Sequence, residues 1–136
     1  MLPTMDSSHH IYIAVIDDDE SLCIAMSRLL RAAHLQPVTY PSAEAFLTDL
    51  KRPKFDCLVL DNHLNGISGL ELSKRLIAVK DTTPVIFITE HDDPGLQASA
   101  EAVTCAGCFR KTASGADILA AINRALGHKG TESVRT

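Results

Sequence analysis

Ile11-Tyr12-Ile13-Ala14-Val15-Ile16-Asp17-Asp18-Asp19 joins an unbroken apolar run to three consecutive acids. A run without polar alternation reads as a strand buried on both faces, the habit of a parallel sheet covered by helices. The same plan repeats along the chain. Leu22, Met26, Leu29, Leu30 and Ala33 recur at helical spacing, and Pro37-Val38-Thr39-Tyr40 is a short second strand. Ser42 offers an N-cap to a stripe of Ala43, Phe46, Leu47 and Leu50. Cys57-Leu58-Val59-Leu60 is a third strand ending at Asp61. Ser68 and Glu71 have capping-box spacing, opening a helix to about Val79. Pro84 to Thr89 is the fourth strand, and Asp93-Pro94 starts an Ala-rich helix. Cys108-Phe109-Arg110 is a short fifth strand. Ser114 and Asp117 then precede Ile118, Leu119, Ile122, Ala125 and Leu126. Five strand-helix units predict one parallel sheet with helices on both faces and right-handed crossovers.

Composition agrees with a single small domain. The 136 residues are 46% hydrophobic and carry a formal charge of −4, from 13 basic and 17 acidic side chains. That apolar fraction excludes a disordered chain, and no run is long enough for a membrane span. Met1 to His10 has neither a basic region nor an apolar core, so no secretory signal is expected. The acidic balance argues against direct nucleic-acid binding. Cys105 and Cys108 form a C-x-x-C, but no second ligand pair stands at zinc spacing. All four cysteines are expected to be reduced thiols of a cytoplasmic protein.

In an open parallel sheet the ligand crevice lies beyond the carboxyl ends of the strands. There stand Asp17, Asp18 and Asp19, then Asp61, Thr89 and Lys111. Crowded carboxylates raise one another's pKa, and a divalent cation relieves them. An all-oxygen set suits Mg²⁺ or Mn²⁺. A lysine and a hydroxyl opposite them are what a transferred phosphoryl group needs, and a central carboxylate is a competent nucleophile. Each residue has a plainer role as well: Asp19 as an N-cap, Asp61 in a turn, Lys111 as a solvated charge. The conjunction is what favours chemistry. An FMN carrier is disfavoured, because acids stand where a phosphate-cradling loop belongs. A phosphohydrolase using Asp17 would leave Asp61 unexplained.

Val15-Ile16-Asp17-Asp18-Asp19-Glu20, Cys57 to Asp61 with Gly66 and Gly69, Pro84 to Thr89, and Phe109-Arg110-Lys111 together resemble bacterial response-regulator receiver domains, closest to FixJ-like receivers. The resemblance covers about residues 11–126. It implies an α/β, flavodoxin-like doubly wound (βα)5 three-layer sandwich with a five-stranded parallel sheet of order 2-1-3-4-5. It implies Asp61 as phosphoacceptor, with Asp17, Asp18, Asp61 and the backbone carbonyl of His63 as ligands of Mg²⁺ or Mn²⁺. Thr89 and Lys111 would bind the phosphoryl group, supplied by a histidine kinase or phosphotransfer protein. The chain would be a phosphorelay component, a phosphoacceptor and no multiple-turnover enzyme. Its downstream partner would be another protein or a lost output domain, and a homodimer is left open. The alternative within the fold is a degenerate pseudo-receiver, an interaction module independent of phosphorylation.

Four departures from the family pattern carry expectations. Asn65 stands where proline is usual, and Asn65-Gly66 is expected to make the turn instead. Thr112 follows Lys111 in place of proline, so a cis peptide there is disfavoured by about 2.5–4 kcal/mol. Glu90 replaces a small residue beside Thr89. Cys108 occupies the place of the switch aromatic, and Phe109 is expected on the opposite strand face. His63, Glu90, His91, Cys108 and Phe109 are the tuning or switch candidates. Residues 1–10 and 127–136 are expected to be flexible extensions of the domain.

Overall fold

A computed structural model describes residues 10–90 and 105–135, except the side chains of 105 and 128–135. His91 and the helix expected after Asp93-Pro94 lie outside the described residues. The elements are β1 (Tyr12–Ile16), α1 (Glu20–Ala32), β2 (Gln36–Tyr40), α2 (Ala43–Thr48), β3 (Cys57–Asp61), α3 (Gly69–Ala78), β4 (Val85–Thr89), β5 (Cys105–Arg110) and α4 (Gly115–Arg135). All described strands pair in parallel, in the expected order β2-β1-β3-β4-β5.

The apolar runs explain the layering. Ala14, Ile16, Leu58, Leu60, Val85 and Phe87 face one way, onto Ala43 and Phe46 of α2 and Leu72 and Leu76 of α3. Ile13, Val15, Cys57, Val59, Ile86 and Ile88 face the other way, onto Met26 and Leu30 of α1 and Ile118 and Ile122 of α4. A strand clad on both faces has no place for a polar residue until it ends. Each fully buried Leu, Ile or Phe contributes about 1.5–3 kcal/mol. This packing, more than local propensity, holds a helix as short as α2 in place.

Several ends differ from the sequence reading. The stripe of α2 does not reach Leu50. The helix stops at Thr48, Asp49 turns to extended backbone as its C-cap, and Leu50 is 90% exposed. Ser68 does cap α3, its Oγ accepting from the Glu71 N–H, but the box is not reciprocal: the Glu71 carboxylate accepts from Arg75 Nε at 3.2 Å. β5 begins at Cys105 rather than Cys108. A register shift sets Cys105 opposite Val85 and Gly107 opposite Ile86, with Ala106 as the extra residue. The helical backbone of α4 continues to Arg135, over the segment expected as a flexible tail. Gly127 and Gly130 weaken a helix by roughly 1 kcal/mol each without forbidding it. Among the described residues no helix is long and apolar enough to cross a membrane.

Candidate phosphoryl-acceptor site

The sheet register brings the acids together. Ile16 pairs with Leu60, so Asp17 and Asp61 follow side by side at adjacent strand ends. Asp61 pairs with Ile88, which sets Thr89 one step beyond it, and Thr89 pairs with Arg110, which sets Lys111 one step further. The Lys111 N–H donates to the Thr89 carbonyl at 2.6 Å. Asp17, Asp61 and Thr89 are buried, at 2%, 4% and 5% exposure. Asp18 is exposed.

Lys111 lies between the two buried acids. Its Nζ stands 3.1 Å from Asp17 Oδ2, 3.3 Å from Asp17 Oδ1 and 3.2 Å from Asp61 Oδ2. Burial pulls the lysine pKa down, but hydrogen bonds and attraction from Asp17 and Asp61 together hold it above its ordinary value. Burial pushes Asp17 the other way, from 3.8 to about 6. The Asp19 N–H bond at 2.8 Å opposes that rise, and repulsion from Asp61 adds to it. Asp19 itself caps α1, its Oδ1 accepting from the Leu22 N–H at 3.2 Å. The plainer role considered for Asp19 is therefore the observed one.

One carboxylate oxygen from each of Asp17, Asp18 and Asp61 lies within 4.8 Å of the others. Asp17 Oδ2 is buried and accepts no hydrogen bond, meeting only the Lys111 charge in poor alignment. A buried oxygen with unused lone pairs beside two more carboxylates fits a hard divalent cation. The His63 N–H donates to Asp61 Oδ1 at 3.0 Å, which ties the loop to the acid and leaves Oδ2 toward Lys111. His63 and Glu90 are exposed.

The family departures have visible outcomes. The Lys111–Thr112 peptide is trans, and Lys111 still reaches both acids. Gly66 takes φ +81°, as the Asn65-Gly66 turn required. Cys108 packs with Phe87 on the α2–α3 side, while Phe109 packs on the α1–α4 side. The two neighbours do face opposite ways.

Two supporting residues, Glu44 and Asn62, were missed from the sequence, and Gly69 was noted there without its contact. Glu44, in the first turn of α2, accepts from the Ile67 N–H at 2.9 Å, and this bond is the main cause of its lowered pKa. A Cβ on Gly66 would collide with that carboxylate. Asn62 Oδ1 accepts from the Leu70 N–H at 2.9 Å, binding the loop to the start of α3. Gly69 lies against the chain at Asp61, where an added Cβ would meet the Asp61 carbonyl oxygen at 2.6 Å. Gly69→Ala therefore forces backbone to move. We expect a loss of about 1–3 kcal/mol in urea unfolding, together with displaced Asp61 and Asn62 amide resonances. A silent spectrum at those two residues would show that the contact yields freely. Glu44→Ala is expected to weaken divalent-cation binding by up to about tenfold while Glu44→Gln, which keeps an acceptor oxygen, retains it. Equal behaviour of the two variants in a calorimetric titration would remove Glu44 from the site.

Residues 13–123 match the family described as response regulator receiver domain. The chain belongs to this family. It is 33% identical over 114 residues to the response regulator protein TmoT of Ectopseudomonas mendocina, covering 84% of this chain and 52% of that one. It is 34% identical over 120 residues to the transcriptional regulatory protein FixJ of Azorhizobium caulinodans, covering 88% and 57%. The receiver thus spans about half the length of the curated relatives it matches. Among solved structures, a CheY-like receiver domain from Methanospirillum hungatei superposes with a TM-score of 0.83 at 17% identity, covering 90% of this chain and 98% of that one. That likeness shows the fold alone. The response regulator StyR gives 0.81 at 31% identity, covering 93% and 64%.

Proposed function

We propose that this receiver accepts a phosphoryl group on Asp61 in a reaction that depends on Mg²⁺ or Mn²⁺. The observation that carries the reading is Lys111, held between two buried carboxylates at the ends of β1 and β3. Asp17, Asp18, Asp61 and the backbone carbonyl of His63 would hold the cation, which would offset negative charge on the phosphoryl oxygens. An Asp61 carboxylate oxygen forms the new bond to phosphorus. The donor's P–N or P–O bond breaks, and the leaving group departs with its electron pair and takes up a proton. The Thr89 hydroxyl and the Lys111 ammonium bind the oxygens of the transferred group, which requires Lys111 to release Asp61. The donor is a phosphohistidine of a kinase or phosphotransfer protein, or a small acyl phosphate. The adduct then alters contacts with a downstream protein. The chain is a stoichiometric phosphoacceptor that hydrolyses its own adduct, not an enzyme acting on other substrates.

Incubation with phosphoramidate and Mg²⁺ should add one phosphoryl group by intact mass, and EDTA should prevent it. A chain left unmodified by phosphoramidate and by acetyl phosphate would instead be a phosphorylation-independent interaction module.

The raised pKa of Asp17 sets the sign of a pH effect. Between pH 3.8 and about 6 the folded chain binds a proton that the unfolded chain has released. The stability due to this group is therefore full below that window and falls as pH rises through it. A cation that favours the carboxylate recovers more stability at higher pH. Thermal melts should show a larger Mg²⁺ increment at pH 7.5 than at pH 5. Equal increments would contradict a cation at Asp17.

A further inference from the structure

At the opposite end of the sheet, the connections leading into β3 and β4 meet the outer part of α4 around a groove of about 1170 Å³. It is remote from the acids. A five-residue strand separates the two ends by roughly 16 Å. Two of the three large hydrophobic side chains that are exposed among the described residues line it: Leu50, 90% exposed, and Val79, 72% exposed. Phe46 and Phe55 form its buried floor.

Among the described residues four cations line the same groove, Arg52, Lys54, Lys80 and Arg124, against one acid, Asp81. Asp81 is partly occupied, its Oδ1 accepting from the Thr83 N–H and hydroxyl. Lys54, Lys80 and Arg124 make no ion pair among the described residues. The Arg52 guanidinium is held in place, stacked over Phe46 at 4.5 Å and donating to the Phe46 carbonyl at 3.1 Å. In a chain of net charge −4, this is a concentration of the minority sign around the exposed Leu50 and Val79. Apolar anchors inside a charged rim are the anatomy of a protein-docking site. The volume exceeds that of an ordinary small-molecule pocket, which runs to about 1,000 Å³.

We infer that this groove docks an acidic peptide segment of a partner protein, with large apolar side chains of the peptide seated on Leu50 and Val79 and its carboxylates on Lys54, Lys80 and Arg124. The surface is independent of the phosphoryl site, so docking does not require Asp61.

The test is an amide NMR titration of the full chain with a short synthetic peptide of glutamates and leucines. A matched peptide with lysines for glutamates serves as control. We expect shifts centred on Leu50, Val79 and Lys80, and affinity at least tenfold weaker in Lys80→Glu/Arg124→Glu and in Leu50→Ser. Both variants should keep the wild-type response to Mg²⁺, which reports that they fold. Absence of groove shifts at millimolar peptide overturns the proposal, as do equal shifts with the lysine peptide. Equal binding of a single-stranded oligonucleotide would make the groove a general polyanion site. Concentration-dependent sedimentation abolished by Leu50→Ser would make it a contact between copies of this chain. Either result also overturns the proposal.

Discussion

Asp61→Asn is expected to remain unphosphorylated by every donor that modifies the wild type. The replacement is nearly isosteric, and the asparagine oxygen can still accept the His63 N–H, so the loop keeps its anchor. What disappears is the nucleophile. A neutral amide oxygen does not compete with a carboxylate for phosphorus at neutral pH. One of the three carboxylates that would hold the cation goes with it, so Mg²⁺ affinity should fall at least about tenfold. Lys111 retains Asp17 as a partner, and the repulsion that helps raise the Asp17 pKa is relieved. The domain should therefore fold with little loss of stability. Full phosphorylation of Asp61→Asn would place the acceptor on another side chain.

Lys111→Met should have the second large effect, and on two observables. Lys111 is the cation that compensates two buried carboxylates in the metal-free chain, with its own side chain only 13% exposed. Removing one member of a buried ionic group leaves uncompensated charge and destabilises by about 3–5 kcal/mol. At pH 7.5 without metal this means a fall in Tm of roughly 10 °C or more. The loss should shrink toward pH 5, where Asp17 takes up a proton, and Mg²⁺ should recover a large part of it. Phosphoryl transfer with Mg²⁺ present should still fall by about 10²–10³-fold, because a charge aimed at the phosphoryl oxygens is gone. An unchanged metal-free Tm would mean that the Lys111 contacts are too weak to matter.

The site was legible in the sequence because of the sheet. Strands covered on both faces run as continuous apolar segments, so the polar residues that close each run mark the carboxyl edge, although β5 already ends on Arg110 one step before Lys111. Asp17, Asp61, Thr89 and Lys111 stand at those places in the structure. The supporting contacts were not legible. Glu44 and Ile67 are 23 residues apart, and their bond depends on the path that Gly66 gives the chain at φ +81°. No local pattern encodes such a meeting. Gly69 shows its role only when the Asp61 carbonyl is seen 2.6 Å from where a Cβ would stand. Leu50 continues the helical spacing of Phe46 and Leu47, but α2 has already ended at Thr48, so periodicity assigned it to the core wrongly. The first half of β5, Cys105-Ala106-Gly107, holds only small residues with no β-branched or aromatic side chain, so nothing local marked it as strand.

The most direct measurement is fragment-ion mass spectrometry of the wild-type chain after reaction with phosphoramidate and Mg²⁺. One phosphoryl group on Asp61, absent when EDTA replaces Mg²⁺, is the predicted result. A saturated reaction that leaves Asp61 unmodified, or that marks Asp17 or Asp18 instead, would contradict it.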